Sequence, residues 1–342
     1  MHAPGDDTEE AVVDDETEPN DRQGRAGTRS GHPRVVVGVD GSAGSRDALG
    51  WALVAAARAG ASLEVVSAFP VDFYWTDPYL LDRGRVDSLR SDTGARTREL
   101  VEAVRREPGV AAVPGTGDVP AEVTVVAGAP AEHLVRVAEG ADLLVVGSRG
   151  RGGIRSTLLG SVALHCSTHA ACPVVVVHPS TTTGPARVVV GVDGSVPSRT
   201  ALARAAEAAA ERGAELEVVA AYDLPNYWSE LYVVLAESLE EVQDAARRHA
   251  EAAVAEVLGE QPTVPVTVVT VRGTAGEALV QQAAGAELLV VGSRSRNALS
   301  GMLLGSVSLH SVVHAPCPVM VVHPAPGAAQ EGTSSTLAGA AN

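Results

Sequence analysis

The sequence contains no lysine; every basic side chain other than histidine is one of its 26 arginines. That absence excludes a Walker A phosphate lysine and any Schiff-base lysine. Aromatic residues make up only 3%, so the core has to be aliphatic, built mostly of valine, leucine and alanine. Cysteine is scarce: Cys166, Cys172 and Cys317 are an odd set in a long chain, which is not a disulfide framework. Long apolar runs are missing too. Stretches such as Val174 to Val177 are strand-sized and too short to cross a bilayer, so no membrane partner is expected. No basic start followed by an apolar stretch marks a secretory leader, and the cytoplasm is the expected compartment. Positive charge is outnumbered, with a formal net charge of -16. A nucleic-acid partner needs clustered basic charge and is therefore not expected.

What is present is a soluble composition, 45% apolar and 20% charged, over 342 residues, enough for two domains. An internal repeat organises them. Arg34-Val-Val-Val-Gly-Val-Asp-Gly-Ser42 returns as Arg187 to Ser195 without a change. Ala141-Asp-Leu-Leu-Val-Val-Gly-Ser-Arg149 returns as Ala286 to Arg294 with Glu287 for Asp142, and Leu158-Leu-Gly-Ser-Val162 as Leu303 to Val307. Cys172-Pro-Val-Val-Val-Val-His-Pro179 returns as Cys317 to Pro324 with one substitution. The order is the same in both halves, so a domain has been duplicated. The expected division is domain 1 at 33–179, a linker at 180–186 and domain 2 at 187–324. The acidic segment 1–32 and the Ala/Gly/Ser-rich segment 325–342 are expected to be disordered tails.

Within each copy, strand-like and helix-like patterns alternate. In the first, Val35 to Val39, Leu63 to Ala68, Val123 to Ala127, Leu143 to Val146 and Val174 to Val177 read as strands. Helices are expected over Asp47 to Ala59, with Ser45 as N-cap, and over Val86 to Arg106, Ala131 to Ala138 and Gly160 to His169. Buried runs alternating with helices predict an α/β fold with a parallel sheet covered on both faces. Ligands of such sheets bind beyond the carboxyl ends of the strands, where the winding reverses.

The strongest chemical signal follows the fourth strand: Gly147-Ser-Arg-Gly150-Arg-Gly-Gly-Ile-Arg-Ser-Thr-Leu-Leu-Gly160-Ser161. Bare glycines let backbone lie against a phosphate chain. The helix opening at Gly160-Ser161 offers unpaired N–H groups and a positive dipole end. Arg149, Arg151 and Arg155 add positive charge, and the Ser161 hydroxyl another donor. The plainer reading is a flexible strand-to-helix connection.

The spacing Gly147-x2-Gly150-x9-Gly160-Ser161 resembles the ATP-binding signature of the universal stress protein family. The Val-Asp40-Gly-Ser42 start, Gly128-Ala-Pro130 and the closing His169-Ala-Ala-Cys-Pro173-Val-Val-Val-Val run are similar to that family as well. The resemblance implies two tandem Rossmann-like domains of the adenine-nucleotide alpha-hydrolase type. Each would have a five-stranded parallel sheet in the order 3-2-1-4-5. It implies ATP, with or without magnesium, between the first and fourth strands. Asp40 would meet the ribose or adenine side, and the backbone near Ala68 the adenine. Gly147, Gly150, Gly160, Ser161 and the Val162 amide would hold ribose and phosphates. The plain alternative for Asp40 is a turn carboxylate. Family domains pair through their last strands, which implies Val174 to Val177 against Val319 to Val322 within one chain, with a further homodimer open.

The second copy keeps Asp193, Gly292, Gly305, Ser306 and Val307 but has Ser295 at the place of Gly150, and Asn297-Ala298 for Gly152-Gly153. Weaker ATP binding is expected there. Regulatory or structural binding of ATP is the leading function. A slow ATPase or other nucleotide-dependent enzyme, for which no clear general base adjoins the loop, and a non-nucleotide dimerisation or interaction module are the alternatives. No catalytic or metal residue is assigned. His165/His169 and His310/His314 have an HxxxH spacing without an intervening Glu or an evident third ligand. The cysteines read as small buried hydrophobes. Neither Ser42 nor Ser195 lies in a Gly-x-Ser-x-Gly elbow. Phe69 to Tyr79 and Tyr222 to Tyr232 are matched aromatic segments, to be read as lids over the ligand, partner contacts or loops packed on their own domains.

Overall fold

The computed structural model describes residues 32–69, 83–150, 159–179, 185–223, 232–293 and 304–324. The tail segments, the aromatic stretches at 70–82 and 224–231 and the middle of each glycine loop fall outside them. The first copy runs β1 (Arg34–Val39), α1 (Ala43–Ala59), β2 (Ser62–Phe69), α2 (Arg83–Arg105), α3 (Pro108–Ala111), β3 (Ala121–Ala127), α4 (Pro130–Val137), β4 (Leu143–Gly147), α5 (Ser161–His169) and β5 (Val174–Val177). The second runs β6 (Arg187–Gly191), α6 (Val196–Arg212), β7 (Glu215–Tyr222), α7 (Tyr232–Leu258), β8 (Val266–Arg272), α8 (Ala275–Gln282), β9 (Leu288–Gly292), α9 (Ser306–His314) and β10 (Val319–Val322).

All ten strands join one sheet in the order β3-β2-β1-β4-β5-β10-β9-β6-β7-β8. Each half is therefore the expected 3-2-1-4-5 arrangement, with parallel pairing throughout. The halves meet where β5 and β10 pair antiparallel, Val176 opposite Val319 and Val174 opposite Val321.

Strands buried on both faces feed two cores, because alternate side chains point to opposite sides. In β1, Val35 and Val37 belong to the core cluster that holds Leu49 and Leu53 of α1, whereas Val36 belongs to the one that holds Leu134 of α4 and Cys166 of α5. Both cores run across the junction. Val175 and Val177 share one cluster with Met320 and Val322, and Val174 and Val176 share the other with Val319 and Val321. At the junction the Arg212 guanidinium lies 5.4 Å from the Trp51 ring centroid. Burial, first, and the nearby Arg58 hold its pKa down to about 10.

One local expectation is corrected. Ser45 is not the N-cap of α1; Ser42 is, accepting from the Ser45 amide at 3.2 Å. Gly41 turns the chain at φ 78°, which leaves Ser42 extended and ready to cap. Ser45 sits inside the first turn and its hydroxyl returns a bond to the Ser42 carbonyl at 3.0 Å. The short helix α3 was not anticipated; Pro108 near its start supplies the helical φ. The cysteines are all free and buried. Desolvation pushes the Cys166 and Cys172 thiols up to about 12 and about 11, so neither is a ready thiolate.

Candidate functional site

The winding of each copy reverses between its first and fourth strands: β1 leads outward to β2 and β3, and the chain then returns to β4 and β5. The carboxyl ends of β1 and β4 therefore leave a crevice, and the conspicuous residues gather there. Asp40 follows β1, and its Oδ1 accepts from the Ser42 amide at 2.9 Å. Val39 stands opposite Ser67 in register, which puts Ala68 at the level of Asp40.

Gly147 ends β4 against the start of α1. A Cβ built on it would lie 2.6 Å from the Gly44 carbonyl oxygen. Three residues on, a Cβ on Gly150 would lie 2.6 Å from Asp40 Oδ2. The opening of the loop thus lies against the carboxylate, and a side chain at Gly150 would have to push it aside. Ser148 is buried and ties the site together: its amide donates to the Val177 carbonyl at 2.9 Å, and its carbonyl accepts from Gly160 at 2.8 Å. Gly160 is the N-cap of α5 and supplies no side-chain cap. Among the described residues no side chain caps this helix start, which leaves it suited to an acceptor from outside. Ser161 and Arg149 are exposed, and Val162 is half-buried. Arg151 and Arg155 lie outside the described residues.

The second copy repeats the frame. Asp193 Oδ1 accepts from the Ser195 amide at 3.0 Å, and Ser195 caps α6. Gly305 opens α9, again without a side-chain cap, and donates to the Ser293 carbonyl at 2.7 Å. A Cβ on Gly292 would lie 2.8 Å from the Pro197 backbone. Asp193, Gly292, Gly305 and Val307 line a cleft of about 570 Å³, its open mouth included, together with Leu279 and Ser308. Ser295, Asn297 and Ala298 fall outside the described residues. Sequence reasoning missed Ser308, whose hydroxyl donates to the Gly292 carbonyl at 2.5 Å; its counterpart is Ala163, so the repeat held no cue.

The HxxxH pairs lie on α5 and α9 with rings stacked or tilted at 4.2 and 4.6 Å. Among the described residues, no group of three His, Cys, Asp or Glu side chains is placed to hold a metal. Nor is any described helix long and apolar enough to cross a membrane.

Comparison with known proteins agrees with this frame. The universal stress protein family model matches residues 32–178 and again 185–323. Universal stress protein Rv2005c of Mycobacterium tuberculosis (strain H37Rv) is 37% identical over 298 residues, spanning 82% of this chain and 93% of its own. Universal stress protein Rv2623 of the same strain is 33% identical over 295 residues, spanning 84% and 95%. A universal stress protein structure from Archaeoglobus fulgidus superposes with a TM-score of 0.56 at 20% identity, covering 86% of this chain and 97% of that one. The chain belongs to the universal stress protein family, in its tandem two-domain form.

Proposed function

We propose that this protein binds ATP as a regulatory or structural ligand in a cytoplasmic stress response, with the better-formed site in the first domain. The observation that carries the reading is the meeting of three features at the β1/β4 reversal. They are the Asp40 carboxylate, a glycine packed against it where a side chain would push it aside, and a helix N-terminus without a side-chain cap. A triphosphate ester fits this set: its ribose has hydroxyls for a carboxylate, and its phosphates have oxygens for bare amides. In this assignment Asp40 meets the ribose or adenine side and the Ala68 backbone meets adenine. Gly147, Gly150, Gly160, Ser161 and the Val162 amide hold ribose and phosphates. The units that bind are domain 1 at 33–179 and domain 2 at 187–324, with 180–186 as linker.

Asp193, Gly292, Gly305, Ser306 and Val307 make the corresponding site in the second domain. It binds more weakly, because Ser295 brings a Cβ to the place of Gly150. The test is calorimetry of the intact protein with ATP. One strong and one weaker binding event are expected, and Asp40→Asn removes the strong one. At ligand one hundred times Kd the folded state should gain about 2.7 kcal/mol. An intact protein that gives no heat and no thermal shift with adenine nucleotides would end the proposal. Phosphate release at single turnover should stay at the uncatalysed rate.

A further inference from the structure

His178 and His323 close the repeated Cys-Pro-Val-x-Val-Val-His-Pro runs, and neither has a part in the nucleotide reading so far. Each reaches into the other domain. His178 Nε2 donates to the Val312 carbonyl of α9 at 2.9 Å, and His323 Nε2 donates to the Ser167 carbonyl of α5 at 3.1 Å. Val312 and Ser167 are fully buried. Both carbonyls lie in the last turn of their helix, where intrahelical donors run out. For Val312 the residue four positions on is Pro316, which has no N–H. The imidazoles are therefore C-caps supplied in trans.

The helices they cap are the two whose N-termini open the candidate phosphate sites. The strands they follow are held to the loops at the same point. The Ser148 amide donates to Val177, next to His178, and the Ser293 amide donates to Val322, next to His323. Gly160 and Gly305 in turn donate to the Ser148 and Ser293 carbonyls. Followed around, the bonds close on themselves. The first loop leads through Val177 and His178 to α9, and α9 through Gly305 and Ser293 to the second loop. That loop leads through Val322 and His323 to α5, and α5 through Gly160 back to the first loop.

We infer that the two nucleotide sites are coupled through this ring, with His178 and His323 as positioning residues that transmit occupancy from one phosphate helix to the other. The inference rests on the nucleotide reading and adds its regulation. Filling one site fixes its loop and strand end, and through the histidine it fixes the far helix, so the second ATP meets a helix already held. The coupling is positive, and thermodynamic linkage makes it equal in both directions.

Calorimetry on the full chain tests it. Disabling the first site with Asp40→Asn should weaken ATP at the second by at least about fivefold, the lower end of ordinary coupling. In a chain carrying His178→Leu and His323→Leu the same Asp40→Asn change should leave the second site where it was. His178→Gln and His323→Gln, which keep a donor, should restore the effect. A second measurement needs no histidine variant: with the second site disabled by Asp193→Asn, ATP should still slow amide exchange across 306–314 by about fivefold. Heat from ATP binding with second-site affinity unmoved by Asp40→Asn, or no slowing across α9, overturns the coupling and leaves the nucleotide reading standing. No heat from the unaltered chain sinks both.

Discussion

At the level of single residues, the site turns on what has no side chain. Gly150 touches the Asp40 carboxylate so closely that a methyl group would have to displace it by a large fraction of an ångström. Gly150→Ala should therefore lower first-domain ATP affinity by about tenfold, which is about 1.4 kcal/mol. Calorimetry checks the affinity, and a melting temperature within a few degrees of the parent's shows the fold intact. An unchanged affinity would mean that the loop does not approach the ligand. The sequence carries a natural version of this change in Ser295.

His178 makes a second prediction at this scale. Burial lowers its pKa below the usual 6.5, and Arg149 adds to the effect, partly offset by bonds to the Val312, Val176 and Cys317 backbone. The unfolded chain then holds more protons than the folded one just below pH 6.5, so stability rises with pH in that range. The contribution is complete above the unfolded pKa and is lost as pH falls through the folded value. Urea midpoints taken between pH 7.5 and 5.5 should fall more steeply for the parent than for His178→Gln. Equal slopes would show that the buried imidazole does not carry the pH dependence.

At the level of elements, the capped turn after β1 sets the direction of α1 and with it the wall of the crevice. Ser42 accepts from the Ser45 amide, and its own amide donates to Asp40, so one residue serves both helix and site. Ser42→Ala should cost about 1 kcal/mol in urea unfolding; a loss below a few tenths would indicate that Ser45 takes over the cap. This turn also marks where legibility stopped. The strands and most helices were readable because β-branched runs and amphipathic spacing are local signals. The strand order, in contrast, came from the family resemblance. The choice between Ser42 and Ser45 as cap hung on the backbone at Gly41, which no periodicity encodes. Asp40, Gly147 and Gly160 stood out in the sequence because turn chemistry and the expected phosphate contact ask for the same residue types there. His178 and His323 stood in the repeat in plain view, yet their carbonyl partners lie 134 and 156 residues away along the chain. No local pattern reports contacts of that range.

At the level of the whole molecule, the duplication turns a sheet edge into a sheet centre. Val174 to Val177 are all buried, and their outer edge is paired only because β10 lies beside it. Cut away from the second domain, residues 33–179 would present that edge and the apolar cores beneath it to water, an invitation to pair with another strand. A second copy of the same domain fits almost as well as the natural neighbour. Val174 to Val177 can face itself antiparallel, and His178 finds the counterpart of the Val312 carbonyl at Ser167 of the other copy. What the copy cannot reproduce is Arg212 over Trp51, because the first-domain counterpart of Arg212 is Ala59. The expected outcome is a reversible homodimer of the isolated domain, held less firmly than the tandem junction. It should be detected by sedimentation velocity as a mass that halves on dilution. A domain that stays monomeric at high concentration would mean that the junction depends on side chains that only the second copy supplies, with the Arg212–Trp51 contact the first to test by Arg212→Ala in the full chain.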